Sequence, residues 1–172
     1  MKRTVSVVVF VLLLVSLGLA VTQMTPDQQM QALQLRLVQF EARYGCYLNA
    51  LNACGGTVQE TQQWIQADAN FNAFVTPLCG DPSNPNNYNT ASNQCVNPPY
   101  MTSAQQYQAM ELRIAQYVAR YAALDVQAST ACYPKQIPEN AAWIQADTTM
   151  NAFLQQTCGG YQHYNTSKNQ CQ

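Results

Sequence analysis

Two acidic residues stand at matching places in this chain. Trp64-Ile65-Gln66-Ala67-Asp68 recurs unchanged as Trp143-Ile144-Gln145-Ala146-Asp147, and each Asp is followed four residues later by Asn72 or Asn151. On a helix this spacing sets Trp, Asp and Asn along one edge. Two such carboxylates facing each other would make an acid pair or a Ca²⁺ site. The structural alternative is that each Asp accepts the indole N–H or a local amide, as a partly buried carboxylate must. No clustered oxygen-ligand loop accompanies either residue, which favours the structural role.

Other equipment for chemistry is thin. His163 is the only histidine and sits in a polar tail. Nucleophilic catalysis needs a base held by a third group, and no such pairing is marked. The cysteines lack the paired C-x-x-C spacing of a zinc site. The reading is therefore a protein without catalytic residues, metal or cofactor. Charged residues are only 10% of the chain and no basic cluster occurs. Phosphate-tracking surfaces need clustered Lys and Arg, so nucleic acid is excluded as a partner.

The cysteines carry more information. Three have counterparts: Cys54 with Cys132, Cys79 with Cys158, and Cys95 with Cys171. Cys54 and Cys79 close successive helices whose ends lie about 30 Å apart, far beyond the roughly 7 Å that a disulfide spans. Two symmetric schemes remain. One joins Cys79–Cys95, Cys158–Cys171 and Cys54–Cys132; the other joins Cys54–Cys95, Cys132–Cys171 and Cys79–Cys158. The first is simpler because it staples each tail locally. Cys46 is odd, since Ala123 stands at its counterpart. It falls off the apolar seam, on the outer face of its helix, which suits an intermolecular bridge to a second copy; the alternatives are a free, partly sheltered thiol or a rearranged pairing within the first unit. Asn165-Thr166-Ser167 is an N-glycosylation acceptor, whereas Asn89-Thr90-Ala91 is not.

These residues must be held by repeated elements. The first unit runs from 24 to 95 and the second from 101 to 171, with Val96-Asn97-Pro98-Pro99-Tyr100 between them. Each opens on a capping box, Thr25 with Gln28 and Thr102 with Gln105. A seam at alternating steps of three and four follows: Met30, Leu33, Leu37, Phe40, Tyr44, Tyr47 and Leu51, then Tyr107, Met110, Ile114, Tyr117, Tyr121 and Leu124. This spacing predicts one long helix per unit, roughly 40 Å at about 1.5 Å per residue. Arg36, Arg43, Arg113 and Arg120 flank the seam, positioned to lay their stems on apolar surface with their heads in water. A second helix carries each Trp, capped by Thr57-Val58-Gln59-Glu60 in the first unit and opened by Pro138-Glu139 in the second. Gly80 to Cys95 and Gly159 to Cys171 are loops by composition. The expected fold is all-α: tandem duplicated helical hairpins forming a four-helix, disulfide-stapled bundle.

Residues 1–20 read as a secretory signal peptide, with Lys2 and Arg3 before an apolar run and small residues at Gly18 and Ala20. Residues 21–172 then form one helical domain of two half-repeats. The mature form is expected to be secreted, free of membrane segments and rich in disulfides. Weak charge and abundant Gln and Asn suit a non-catalytic structural or interaction protein of a matrix, coat or secreted fluid, contacting other extracellular proteins or itself. The competing expectation is a carrier with an apolar small molecule inside the bundle, lined by Met30, Tyr44, Tyr47, Met110, Tyr117 and Tyr121.

Overall fold

The computed structural model describes residues 23–172. The leader expected at 1–20 lies outside the described residues. Four helices dominate: α1 (Pro26–Ala53), α2 (Gln62–Cys79), α3 (Ser103–Cys132) and α4 (Ala141–Cys158). The two long helices begin as their sequences dictate. Thr25 and Thr102 each accept the backbone N–H three residues on, while Gln28 and Gln105 reach back to the cap backbone. Both reciprocal capping boxes are thus closed. α1 runs unbroken through Gly45.

The shorter helices begin later than their sequences suggest. Thr61, not Thr57, caps α2 by accepting the Trp64 N–H at 3.3 Å. The stretch before it is held extended because Gln127 pairs with the Gln59 backbone through both ends of its amide, at 2.9 and 2.6 Å. Asn140 caps α4 by accepting the Trp143 N–H at 2.9 Å, so Pro138 and Glu139 lie outside the helix.

α1 and α3 lie side by side and run in the same direction. Leu33 and Leu37 of α1 share a buried cluster with Met110 and Ile114 of α3 near the N-terminal ends. Cys54 and Cys132 join the C-terminal ends, with Cα atoms 5.3 Å apart. The alternating three-four spacing explains this, because such seams interlock when helices pack at a shallow angle.

The Trp helices are exchanged between the units. α2 packs on α3, and α4 packs on α1. Phe71 and Val75 of α2 cluster with Ala109 of α3, while Met150 and Leu154 of α4 cluster with Ala32 of α1. Neither short helix makes its main packing with the long helix of its own unit. The four helices therefore form one bundle in which each unit completes the core of the other.

The polar tails are more ordered than loops. β1 (Tyr88–Asn89) pairs antiparallel with β2 (Gln94–Cys95), and β3 (Tyr164–Asn165) with β4 (Gln170–Cys171), in the same register. A 3₁₀ turn, Tyr161–His163, precedes β3. Asn93 and Asn169 turn each hairpin in the left-handed region, φ 52° and 49°, which Asn tolerates better than most residues. Each buried Asn then accepts the hydroxyl of its own tail tyrosine, Tyr88 or Tyr164. Disulfides Cys79–Cys95 and Cys158–Cys171 fix the tails to α2 and α4, with Cα separations of 5.0 and 5.2 Å. These bridges and Cys54–Cys132 make up the locally stapled scheme. Among the described residues, no helix is long and apolar enough to cross a membrane.

Candidate functional site

Asp68 and Asp147 each anchor a network across a helix interface. Asp68 accepts the Trp64 indole N–H at 2.9 Å, the Gln116 amide at 2.9 Å and the Arg120 guanidinium at 2.7 Å. Asp147 accepts Trp143 at 2.9 Å, Gln39 at 2.7 Å and Arg43 through both oxygens at 3.0 and 3.1 Å. In both networks Trp and Asp come from a short helix, and Gln and Arg from the long helix of the other unit. Charge-assisted bonds of this kind are stronger than neutral ones. Each carboxylate is about a quarter exposed, so solvent screening reduces their worth.

The two guanidinium groups also lie over aromatic rings. Arg43 sits 5.3 Å from the Trp143 ring and 5.5 Å from Phe40; Arg120 sits 5.4 Å from both Trp64 and Tyr117. Cation–π attraction adds to the ion pair at this range. The Nε of each arginine is buried without a hydrogen-bond partner.

A cleft opens beside each network. The first, about 480 Å³, is lined by Arg36, Gln39, Phe40, Arg43, Asp147, Asn151, Tyr161 and Thr166. The second, about 280 Å³, is lined by Asp68, Asn72, Thr90, Arg113, Gln116, Tyr117 and Arg120, with Phe71, Pro82 and Ser83. Arg36, Gln39, Arg43, Asp147, Asn151 and Thr166 in the first match Arg113, Gln116, Arg120, Asp68, Asn72 and Thr90 in the second. The Trp-Asp-Asn edge read from the sequence thus becomes one wall of each cleft, with Asn72 and Asn151 exposed on it.

The clefts differ in how their outer arginine is used. Arg36 donates to the Thr166 carbonyl at 2.9 Å and remains partly exposed. Arg113 is only 5% exposed. It donates to the Thr90 carbonyl at 2.5 Å, to the Asn93 side chain, and to Glu41 at 2.6 Å. Its head is therefore buried, contrary to the expectation of a solvated guanidinium, because Glu41 neutralises it. Burial raises the Glu41 carboxyl above its ordinary value, while Arg113 opposes that shift. Val118 stands where the other unit has Glu41, so this ion pair has no twin.

The residues proposed for an apolar pocket pack against one another. Tyr44 meets Tyr117 edge-on at 5.7 Å and Trp64 at 6.0 Å; Tyr47 meets Tyr121 at 5.3 Å and Trp143 at 6.0 Å. Met30 packs on the Leu33–Met110 cluster, of which Met110 is a buried member. Burial and the neighbouring Asp125 push the Tyr47 hydroxyl well above the usual phenol range. Tyr117 also borders the second polar cleft.

Cys46 is free, as its missing counterpart implies, but it does not face outward. It is 6% exposed, and its thiol donates to the Pro138 carbonyl at 3.4 Å. The segment leading into α4 crosses α1 there and covers it. His163 lies exposed at the end of the 3₁₀ turn. Asn165 is partly exposed in β3, where its side-chain Oδ1 accepts the Ser167 and Lys168 N–H groups at 3.0 Å. Among the described residues no group of three His, Cys, Asp or Glu could hold a metal ion.

Sequence reasoning passed over Gln39 and Gln116, both buried. Their signal was available: Arg36-x₂-Gln39-x₃-Arg43 recurs as Arg113-x₂-Gln116-x₃-Arg120. Compared with protein-family models, with curated proteins and with solved structures, the chain matches none.

Proposed function

We propose that this is an exported, non-catalytic protein that works by contact, as a component of an extracellular matrix, coat or secreted fluid. The observation that carries the reading is the filled seam. Tyr44, Tyr47, Tyr117 and Tyr121 pair with each other or with the two Trp rings, occupying the space a carried apolar ligand would need. Three disulfides are compatible with an oxidising compartment. The surface is weakly charged and rich in amides, which favours contact without strong electrostatic steering. Asn165 is the position for a single glycan. Self-association, where it occurs, is non-covalent in this reading, since the one unpaired thiol is covered.

Native mass spectrometry of protein secreted from a eukaryotic host tests this. The expected spectrum shows protein beginning near Val21, carrying no lipid-sized adduct, with mass reduced by glycosidase treatment at Asn165. A stoichiometric apolar adduct would replace the contact role with a carrier role.

A further inference from the structure

The cleft between α1 and α4 holds binding groups that helix packing does not consume. A guanidinium has five donors; Arg36 commits one to the Thr166 carbonyl and also lies against the Tyr164 hydroxyl, which leaves donors to spare. Among the described residues Arg36 has no acidic partner, whereas Arg43 is paired with Asp147. The cleft therefore keeps an uncompensated positive charge. Asn151 and Tyr161 are exposed at its walls, and Phe40 contributes an aromatic ring. In the second cleft the corresponding charge is cancelled, because Arg113 is buried against Glu41.

We propose that the α1–α4 cleft binds a carboxylate-bearing saccharide unit. Arg36 pairs with the carboxylate, Asn151 and Tyr161 hydrogen-bond ring hydroxyls, and Phe40 supports an apolar ring face. Three observations select this class. The volume, about 480 Å³, lies within the roughly 300–1,000 Å³ of small-molecule sites. The lining combines polar side chains, Arg36, Asn151 and Tyr161, with the Phe40 ring, which suits a hydroxylated ring. An apolar ligand would leave Arg36 and Asn151 desolvated and unpaired, at a penalty. A peptide adding as a strand would need a longer sheet edge, since the neighbouring β3 is only two residues long. This assignment deepens the extracellular contact role and rests on it.

The test is titration calorimetry of the mature protein with a tetrasaccharide of alternating glucuronate and N-acetylglucosamine, beside uncharged chitotetraose. Binding of the acidic sugar in the millimolar range or tighter is expected, weakening with salt. Arg36→Ala should reduce affinity at least about tenfold and Asn151→Ala about threefold, from loss of a charged and a neutral hydrogen bond. Arg36 also ties down the hairpin turn at Thr166, so the exposed Asn151 keeps the site testable if Arg36→Ala loosens the fold by circular dichroism. Absence of acidic-sugar binding, equal binding of both sugars, or binding unchanged in Asn151→Ala would each overturn the proposal. Mass spectrometry for an apolar adduct is independent of these outcomes, so the contact role can survive failure here.

Discussion

The Arg120 guanidinium reaches the Asp68 carboxylate at 2.7 Å from the other half of the chain. Arg43 does the same to Asp147 at 3.0 Å. Each contact fastens a Trp helix to the long helix of the other unit, beneath a Trp ring that donates to the same carboxylate. The tails repeat the logic. The Gln170 side chain brackets the Met24 backbone, accepting its N–H at 2.7 Å and donating to its carbonyl at 3.3 Å. Gln94 brackets Met101 in the same way, at 2.5 and 3.0 Å. The end of the second tail is thus bound to the segment just before α1.

The bridge between the long helices should contribute more stability than either tail staple. Cys54–Cys132 spans 78 residues, against 16 and 13 for the others. Loop-closure entropy then assigns it about 4.5 kcal/mol and a tail bridge about 3 kcal/mol. Paired Cys→Ser replacement followed by urea unfolding checks this. A larger loss from Cys158 and Cys171 than from Cys54 and Cys132 would show that tail packing, not chain entropy, dominates.

Cys46 should react as a covered thiol. In native buffer a thiol reagent should label it slowly, at a rate set by opening of the segment around Pro138. Labelling should become fast and stoichiometric in denaturant. Rapid labelling of folded protein, or a dimer lost on reduction, would place this cysteine at the surface.

Stability should fall at alkaline pH. Burial raises the Tyr88 and Tyr164 phenols above their ordinary value, with Arg113 and Arg36 respectively opposing the shift. A raised phenol keeps its proton in the folded state where the unfolded chain has lost it. The contribution is complete below the unfolded value near about 10 and is lost as pH rises through the folded value, with a limiting slope of about 1.4 kcal/mol per pH unit for each phenol. Unfolding curves between pH 9 and 11, roughly this titration range, should flatten in Tyr88→Phe and Tyr164→Phe. An unchanged slope in both variants would contradict buried phenols.

Much of this architecture is legible in the residues. Thr25 with Gln28 and Thr102 with Gln105 mark helix starts, because a capping box satisfies donors that any helix leaves open. The three-four spacing marks the buried seam, and helix-end geometry narrows the disulfides. The spacing specifies which face is buried but not which helix covers it, so the exchanged packing of α2 and α4 is absent from it. Cys46 illustrates the same gap: its face is outward relative to its own seam, yet Pro138 arrives from the other unit to cover it. Thr57 and Thr61 both satisfy cap chemistry locally. Gln127, 68 residues from Gln59, decides between them. Of the cleft, the Trp-Asp-Asn edge is readable, while the neutralisation of Arg113 requires Glu41 from another helix.

A double-mutant cycle across the helix interfaces measures the exchange of Trp helices most directly. Asp68→Ala and Arg120→Ala should couple by about 0.5 kcal/mol or more in unfolding free energy, as should Asp147→Ala and Arg43→Ala. The pairs within one unit, Asp68 with Arg43 and Asp147 with Arg120, should be additive within about 0.5 kcal/mol. Coupling within a unit and additivity across units would contradict the account, because each Trp helix would then rest on its own long helix.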